Sequence, residues 1–442
     1  MTRLQSRWFL FACAGGGALL LPGTARAASA CSTYASGANT VYISGSSAVQ
    51  PLLQALANQL NQLTPAIKII YQKPSAASCG GLADVTTGDP DPANGNYLDP
   101  TSTPAALVSC TTGTGANVDI GVSDVYASTC NGVTVGASQY DYLGAISPME
   151  FAVPNGSSQN SISYDAAYVV LGWGGANPSY QVPPWTTLGD IFVRNSSSGT
   201  ELILAGAIGL SANKWLANTS DGGVSQQYTS SQTLLTALQG ASSSAPNAAI
   251  GILASAYVDP NRGPSVTNDA GVVVSGGIKP LAFQAKGQTC SYYADSTGHD
   301  FDKINVRQGR YAPWGPTHWV TNTVPGDGAT PTPVGVNSNN AAVATVIEFV
   351  THASLTDDQV KAAITYEAQS SFIPWCAMQV SRSSEVTVEA SGESSYQPAK
   401  GCGCYFEKQA GATLSSYCKT CGGQGDCAAP TPNCNYGYCE VQ

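Results

Sequence analysis

A strand, a helix and a second strand follow one another directly near the start of the chain. Residues 40–43 are β-branched and aromatic, residues 49–63 carry Leu and Val at helical spacing, and residues 67–71 predict a second strand. A βαβ unit joins parallel strands through a right-handed crossover, so this opening predicts a parallel sheet covered by helices. With roughly 370 residues before a cysteine-rich tail, we expect two α/β lobes rather than one core.

Later segments predict a second α/β region and one long loop. The second region is predicted from residues 166–173 and 188–193, with a helix after Ser198. The other predicted elements are strands at 117–122, 149–153 and 248–253 and helices at 343–350 and 357–368. Residues 84–117 are rich in Gly, Pro, Thr and Asp and show no period. We expect a surface loop there, clipped by Cys79, Cys110 or Cys130.

Residues 1–27 have the form of a secretory signal peptide. Arg3 and Arg7 precede an apolar run at 8–21, and residues 25–27 have the small-x-small form of a cleavage site. The run is too short and too rich in glycine for a stable membrane helix. We therefore expect an exported protein, in the periplasm or at the cell surface. A lipid anchor at Cys31 is an alternative, because the small residues before it loosely resemble a lipoprotein processing site.

The 14 cysteines of the sequence predict disulfide bonds, since an exported protein folds in an oxidising compartment. Removing Cys13 with the leader leaves an odd number, so one thiol is free, lipidated or paired between chains. Residues 401–442 are too few to build an apolar core, and we expect disulfides to hold this tail. Zinc at Cys418 and Cys421 is the alternative, disfavoured because the tail has no histidine.

The net charge of the chain is −10, and removing the arginines of the leader makes it more acidic. This charge argues against partners that are nucleic acids or anionic lipid surfaces. An anionic small ligand is still compatible with it, because a buried site acts through local dipoles and donors.

The strongest local signal is the run Arg-Asn-Ser-Ser-Ser-Gly-Thr from Arg194 to Thr200. Ser198 and Glu201 fit a capping box at the start of a helix. Gly199 lets backbone approach a ligand, the Ser198 and Thr200 hydroxyls are donors, and Arg194 offers a planar fork to two anion oxygens. The run therefore predicts an anion site; the alternative is a well-capped helix after a surface arginine.

Three other turns repeat this chemistry after predicted strands. Ser47 follows the first strand and fits a capping box with Gln50, Ser78 lies in a Ser/Gly turn after the second strand, and Asp124 ends the strand at 117–122. In open α/β sheets ligands bind outside the carboxyl ends of the strands. We therefore expect these side chains to converge, although a plain helix N-cap is the alternative for Asp124.

These segments resemble the periplasmic phosphate-binding proteins of ABC importers, which have a two-lobed type II periplasmic-binding-protein fold of the α/β class. The resemblance covers roughly residues 38 to 390. It is carried by residues 45–51, 71–72, 78–81, 119–124, 194–200 and, more weakly, 246–251.

The resemblance implies lobe boundaries and a ligand set. One lobe would comprise residues 32–149 and 312–400, the other residues 150–311, and the tail residues 401–442. It implies a monomer that binds inorganic phosphate without chemistry, with no cofactor and no metal, and that delivers it to an ABC importer complex. The implied phosphate-binding residues are Ser47, Ala48, Ser78, Asp124, Arg194, Ser198, Gly199 and Thr200.

The resemblance also implies that Asp124 selects phosphate over sulfate. A carboxylate is acceptor-only, so it binds an anion only through a proton that the anion carries. Monohydrogen phosphate has such a proton and sulfate has none, so Asp124 would exclude sulfate by repulsion. The chain departs from the family at Ser196, where relatives carry an acidic residue that orients the arginine.

Two other functions compete with solute binding. A secreted phosphatase would need an activated nucleophile or a metal cluster, but the chain has only His299, His318 and His352 and no Gly-x-Ser-x-Gly. His318 lies among Trp and Pro residues, which favours a packing role. A surface or adhesive protein that kept the fold and lost the ligand is the second alternative, favoured by the tail.

Overall fold

A computed structural model describes residues 29–35, 39–88, 94–113, 116–174, 177–215, 227–241, 246–267, 273–325, 330–336, 340–388 and 392–441. The predicted signal peptide lies outside these residues. The helices are α1 Cys31–Tyr34, α2 Gln50–Leu60, α3 Ala77–Thr86, α4 Tyr164–Trp173, α5 Gly199–Ile208, α6 Ser231–Gly240, α7 Ser255–Val258, α8 Ile304–Arg307, α9 Asn340–Thr351, α10 Asp357–Gln369 and α11 Gly403–Gln409.

Short strands surround two long ones. The strands are β1 Thr40–Gly45, β2 Lys68–Gln72, β3 Asn94–Asp99, β4 Ala106–Thr111, β5 Ile120–Ser123, β6 Gln139–Pro154, β7 Ser161–Ser163, β8 Ile191–Arg194, β9 Gln227–Tyr228, β10 Ile250–Ala254, β11 Val266–Thr267, β12 Val273–Ser275, β13 Ile278–Pro280, β14 Ala282–Gln284, β15 Trp314–Val324, β16 Thr332–Val334, β17 Val380–Arg382, β18 Glu393–Ser395, β19 Asn433–Asn435 and β20 Tyr438–Glu440.

The chain has a two-lobed α/β fold, in which two parallel sets of strands are joined through β6 and β15. The main sheet has the order β4-β3-β2-β1-β5-β15-β6-β10-β8-β9. β1 pairs in parallel with β2 and β5, and β8 pairs in parallel with β9 and β10. β6 pairs antiparallel with β15 over its first part and with β10 and β13 over its last part. The parallel sheet predicted from the βαβ opening is therefore confirmed for β1, β2 and β5.

The expectation of a surface loop at residues 84–117 is wrong. After α3 ends, β3 and β4 form a hairpin, and β3 adds to β2 as an antiparallel strand. A disulfide between Cys31 and Cys110 fastens β4 to α1. The local sequence is polar and rich in Gly, and its pairing depends on the neighbouring strand β2 rather than on its own propensity.

The capping box predicted at Ser47 and Gln50 is also wrong. α2 begins at Gln50 after Val49, whose position carries no side-chain cap, while Pro51 does lie in the first turn. Ser198 does occupy the N-cap of α5, but its side chain caps no backbone amide. The hydroxyls of Ser47 and Ser198 therefore lie near the starts of α2 and α5 without accepting a hydrogen bond from the backbone amides of those helices.

Six disulfides account for all but one of the described cysteines. In the tail they join Cys404 to Cys418, Cys421 to Cys434 and Cys427 to Cys439, and Cys376–Cys402 ties the tail to the body. The alternative of zinc at Cys418 and Cys421 is therefore wrong, because both thiols are oxidised. Cys79 pairs with Cys130, and exposed Cys290 is the free thiol.

The Cys31–Cys110 disulfide also bears on the lipid-anchor alternative. Cys31 is buried, and its sulfur is already bonded, so no thiol is left there to carry a lipid. Within the described ranges, no helix combines the length and apolar character needed to cross a membrane.

Candidate functional site

The carboxyl ends of β1, β2 and β5 place polar side chains at one edge of the sheet. Ser46 and Ser47 follow β1, Ser78 lies in the first turn of α3 after β2, and Asp124 follows β5. Close backbone packing brings these turns together, since a Cβ on Gly45 would stand 1.9 Å from the carbonyl oxygen of Val122. Only glycine fits at this position, so packing against β5 requires Gly45 at the end of β1.

The Asp124 carboxylate is surrounded by hydroxyl donors. Its Oδ2 accepts hydrogen bonds from Ser46 Oγ at 2.5 Å and from Ser78 Oγ at 3.1 Å. Its Oδ1 is buried and has no hydrogen-bond partner within the described part of the chain. One acceptor oxygen of a fully buried carboxylate is thus left for another donor.

The amino terminus of α5, which follows β8, contacts the same carboxylate region. Gly199 N donates to Ser78 Oγ at 3.0 Å, and a Cβ on Gly199 would stand 2.6 Å from Asp124 Cβ. The Thr200 hydroxyl is buried without a hydrogen-bond partner among the described residues. The glycine therefore permits α5 to approach Asp124 and Ser78 closely, and α5 presents its amide end to the site.

Arg194, the last residue of β8, is fixed by neutral groups. Its Nε donates to the carbonyl of Tyr228 at 2.9 Å, its Nη2 to the carbonyl of Thr229 at 3.0 Å, and its Nη1 to Ser231 Oγ at 2.9 Å. These carbonyls do the orienting that an acidic neighbour does in the resembled family, while Ser196 is exposed. Part of the donor capacity of the guanidinium stays unused.

Ser47 joins the arginine through Ser231. Ser47 Oγ accepts from Ser231 N at 3.1 Å and lies 3.3 Å from Ser231 Oγ. Tyr257 OH donates to the Ser47 carbonyl at 2.9 Å, so residues of α6 and α7 both contact Ser47. The Ser231 hydroxyl therefore lies between Ser47 and Arg194 and contacts both side chains.

All eight predicted site residues are buried and lie around this place. They are Ser47, Ala48, Ser78, Asp124, Arg194, Ser198, Gly199 and Thr200. Several of their amides already have partners: Ala48 N donates to Ser46 Oγ at 3.1 Å, Ser198 N to the Asn195 carbonyl at 2.9 Å and Gly199 N to Ser78 Oγ at 3.0 Å. An incoming anion would have to replace the first of these bonds to use the Ala48 amide.

Sequence reasoning missed Ser46, Ser231 and Tyr257. Ser46 stands inside the Gly-Ser-Ser turn, so its residue type was visible but not its bond to Asp124. Ser231 and Tyr257 reach Ser47 from far along the chain, and no local pattern marks such a contact.

Burial sets the electrostatics of the two charged groups. Burial raises the pKa of Asp124, against the hydrogen bonds from Ser46 and Ser78 and the charge of Arg194. Burial also lowers the pKa of Arg194, against the charges of Tyr257 and Asp124. Both groups therefore lose solvation that they do not fully recover from protein partners.

Other reactive side chains lie in ordinary structural settings. His318 Nδ1 is 2.7 Å from Asp141 Oδ2, and His352 Nε2 is 3.0 Å from Glu367 Oε1. The sulfurs of Cys421, Cys427 and Cys439 lie close together, but each belongs to a disulfide and is not a metal ligand.

The chain is similar to several solved structures, at low identity. A phosphate ABC transporter substrate-binding protein from Clostridium perfringens, solved with bound phosphate, is 14% identical, covers 76% of this chain and 99% of its own, and has a TM-score of 0.45. An ABC-type phosphate transport receptor from Vibrio cholerae is 14% identical, with 75% and 99% covered and a TM-score of 0.41. The regulatory domain of OxyR from Pseudomonas aeruginosa is 9% identical, with 72% and 100% covered and a TM-score of 0.33.

No protein-family model matches the chain, and no curated protein matches its sequence. The similar structures include both transport receptors and a regulatory domain.

Proposed function

We propose that this protein binds inorganic phosphate, as the monohydrogen form, between its two lobes and does no chemistry on it. The observation that carries the proposal is that two buried charged side chains lack an ion-pair partner among the described residues. Asp124 and Arg194 are 0% and 1% exposed, yet within the described residues neither makes an ion pair or a hydrogen bond with the other. Buried charges without partners are costly, and a ligand between them would offset that cost.

The donor set suits a tetrahedral anion with one proton. Arg194, the hydroxyls of Ser47, Ser78, Ser198 and Thr200, and the amides of Ala48 and Gly199 would replace the water shell of the unprotonated oxygens. Asp124 would accept the proton of the remaining oxygen. Sulfate lacks that proton and would face an ionised carboxylate, so phosphate is favoured over it.

The two lobes would open and close around the anion. We take residues 32–149 with 312–400 as one lobe and residues 150–311 as the other, with the crossings near Met149 and Tyr311. Tyr311 OH donates to the Met149 carbonyl at 2.7 Å, so the proposed crossings are hydrogen-bonded to each other. Such paired connections act as hinges in binding proteins that close on a ligand. An exported receptor of this kind would pass its phosphate to an ABC importer.

Calorimetric titration of the purified protein with phosphate, sulfate and arsenate tests the proposal. We expect tight phosphate binding near pH 8, retained arsenate binding and no sulfate binding. Asp124→Ala and Arg194→Ala should each lose at least 100-fold in phosphate affinity, on the order of 3 kcal/mol.

Ser196→Ala is the matched control, because Ser196 is exposed within the same motif. It should leave affinity unchanged. If the unaltered protein binds none of the three anions, the proposal is wrong, and a surface protein without a ligand becomes the better account. Turnover of a chromogenic phosphate ester would instead favour a phosphatase.

A further inference from the structure

Residues 383–388, here called the clasp, follow β17 and pack against the later turns of α5. A Cβ on Gly206 would stand 2.3 Å from the Val386 carbonyl oxygen, and a Cβ on Gly209 would stand 2.8 Å from Val388 Cγ1. Val386 is buried in this contact. The backbone of the clasp can approach α5 this closely only because residue 206 is glycine.

The base of the clasp is fixed to β15. Arg382, the last residue of β17, donates from Nη1 to the Trp314 carbonyl at 2.7 Å, and its guanidinium lies 3.7 Å from the centroid of the Trp314 ring. Its Nη2 lies 2.6 Å from Glu393 Oε1, so the arginine is held by a buried charge partner as well. β15 begins at Trp314 and pairs with β5, so the base of the clasp belongs structurally with β5.

The clasp is also bonded to the turn that follows β5. Glu385 Oε1 accepts a hydrogen bond from Tyr126 N at 2.7 Å, and Tyr126 OH donates to the Arg382 carbonyl at 3.0 Å. Tyr126 is two residues after Asp124. The clasp is therefore fixed beside Asp124 at one end and reaches α5 with the other.

One face of α5 contacts both Asp124 and the parts that carry the clasp. Gly199, Ile203 and Gly206 are spaced i, i+4 and i+7, which places them on the same face of the helix. A Cβ on Gly199 would stand 2.6 Å from Asp124 Cβ, and Ile203 Cδ1 lies 3.3 Å from the position of a Cβ on Gly315 in β15. Gly206 contacts the clasp on the same side. As a rigid helix, α5 can therefore move away from Asp124 only by leaving the clasp.

We propose that the clasp is a retention device that holds α5 against Asp124 and so slows the release of the bound anion. This inference rests on the proposed function, in which Asp124 and the amino terminus of α5 enclose phosphate from the two proposed lobes. The clasp belongs to the lobe of Asp124, so opening of the lobes breaks its packing on α5. That packing adds to the free energy of the closed state. The anion enters before the contact forms, so the contact acts on the release rate.

Release of radiolabelled phosphate into excess unlabelled phosphate tests this inference, with calorimetric affinity supplying the association rate. Gly206→Ala places a Cβ against the Val386 carbonyl and lifts the clasp, while alanine keeps the helix favourable. Release should become faster on the order of 10-fold, with the association rate changed by less than about threefold. Glu385→Ala removes the bond to Tyr126 N at the other end and should change release in the same direction.

Two controls separate the clasp from other effects of these changes. Gly240→Ala alters a helical glycine whose added Cβ would meet no atom within 4 Å, and it should leave both rates unchanged. Glu385→Gln removes the charge but keeps an oxygen that accepts from Tyr126 N. Its release rate should stay nearer that of the unaltered protein than the rate of Glu385→Ala does.

Amide hydrogen exchange without phosphate tests the hold on α5 independently of binding. The Gly199 amide, which donates to Ser78 Oγ, should exchange faster on the order of 10-fold in Gly206→Ala and not in Gly240→Ala. Unchanged release and unchanged exchange in Gly206→Ala and Glu385→Ala would overturn the inference, and so would slower association with unchanged release. Faster exchange in a protein that binds no phosphate would support the hold on α5 and contradict the proposed function instead.

Discussion

Two buried charged regions of this protein differ in how their charges are satisfied. The first, the ionic cluster, consists of Glu150, Asp259, Arg262, Asp295 and Lys303. Lys303 Nζ lies 2.6 Å from Asp259 Oδ2 and 2.9 Å from Asp295 Oδ1, and Arg262 Nη2 lies 2.6 Å from Asp295 Oδ2. The second is the anion site, where Asp124 and Arg194 make no such pair with any residue that the structure describes and bond to neutral groups.

The difference separates structural charge from binding charge. In the ionic cluster each cation has carboxylate partners within the protein, so the charges hold segments together. In the anion site each charge is supported by hydroxyls and carbonyls that fix its position without neutralising it. Buried charges that are held in place but not paired indicate a ligand, whereas paired ones indicate a structural contact.

The largest expected effect is a difference in the free energy of unfolding between a variant of the ionic cluster and a variant of the anion site. Arg262→Met should lower the free energy of unfolding by about 3–5 kcal/mol, because it leaves buried carboxylates without their partner. Arg194→Met should change it by at most about 1 kcal/mol, because it removes an unpaired buried charge and three bonds to neutral acceptors. Urea unfolding of both variants without phosphate measures the difference. Equal losses would contradict the distinction between the two regions.

The next effect concerns the approach of α5 to Asp124. Gly199→Ala should weaken phosphate binding by on the order of 10- to 100-fold, since its Cβ would overlap Asp124 and hold the lobes apart. Gly189→Ala is the matched control, because a Cβ there meets no atom within 4 Å. Calorimetric titration compares them, and unchanged affinity in Gly199→Ala would show that this contact plays no part in binding.

A pH effect should appear in the ionic cluster. Burial raises the pKa of Glu150 to about 7, despite the nearby charge of Arg262. The folded state therefore holds this proton more tightly than the unfolded state, and stability from Glu150 is lost as pH rises from about 4.5 toward 7. In the Glu150→Gln variant, the loss of unfolding free energy over this pH range should be smaller by on the order of 2 kcal/mol. Unfolding measured between pH 4 and pH 8 checks this prediction. If the free energy of unfolding depends on pH in the same way in both proteins, the effect of Glu150 is excluded.

The smallest expected effect is the pH dependence of stability that comes from Asp124 in the anion site. Burial raises the pKa of Asp124, so its stabilising contribution also declines as pH rises above the usual range of an aspartate. Hydrogen bonds from Ser46 and Ser78 and the charge of Arg194 limit the change. Without phosphate, Asp124→Asn should therefore show a flatter dependence of stability on pH than the unaltered protein. A steeper dependence, measured by the same unfolding curves, would mean that the carboxylate is stabilised when ionised.

Local sequence patterns predicted the helix and the motif whose residues are adjacent in the chain. The helix at 357–368 was found because periodic apolar residues mark it, and the structure adds a capping box between Thr356 and Gln359. The run from Arg194 to Thr200 was found because its glycine, hydroxyls and arginine are contiguous. Both are features of residues adjacent in the chain, which a sequence displays directly.

Features that depend on distant partners were missed or misread. The hairpin of β3 and β4 depends on pairing with β2, so its own residues resembled a loop. Ser47 resembled a helix cap, but its partner is Ser231, 184 positions away.

A crystal structure of the protein grown with phosphate is the most direct test of the claim that Asp124 and Arg194 enclose a tetrahedral anion. We predict one phosphate within hydrogen-bond distance of the Asp124 carboxylate, the Arg194 guanidinium and the amino terminus of α5. An Asp124–Arg194 ion pair with no anion between them, or phosphate bound elsewhere, would contradict the account.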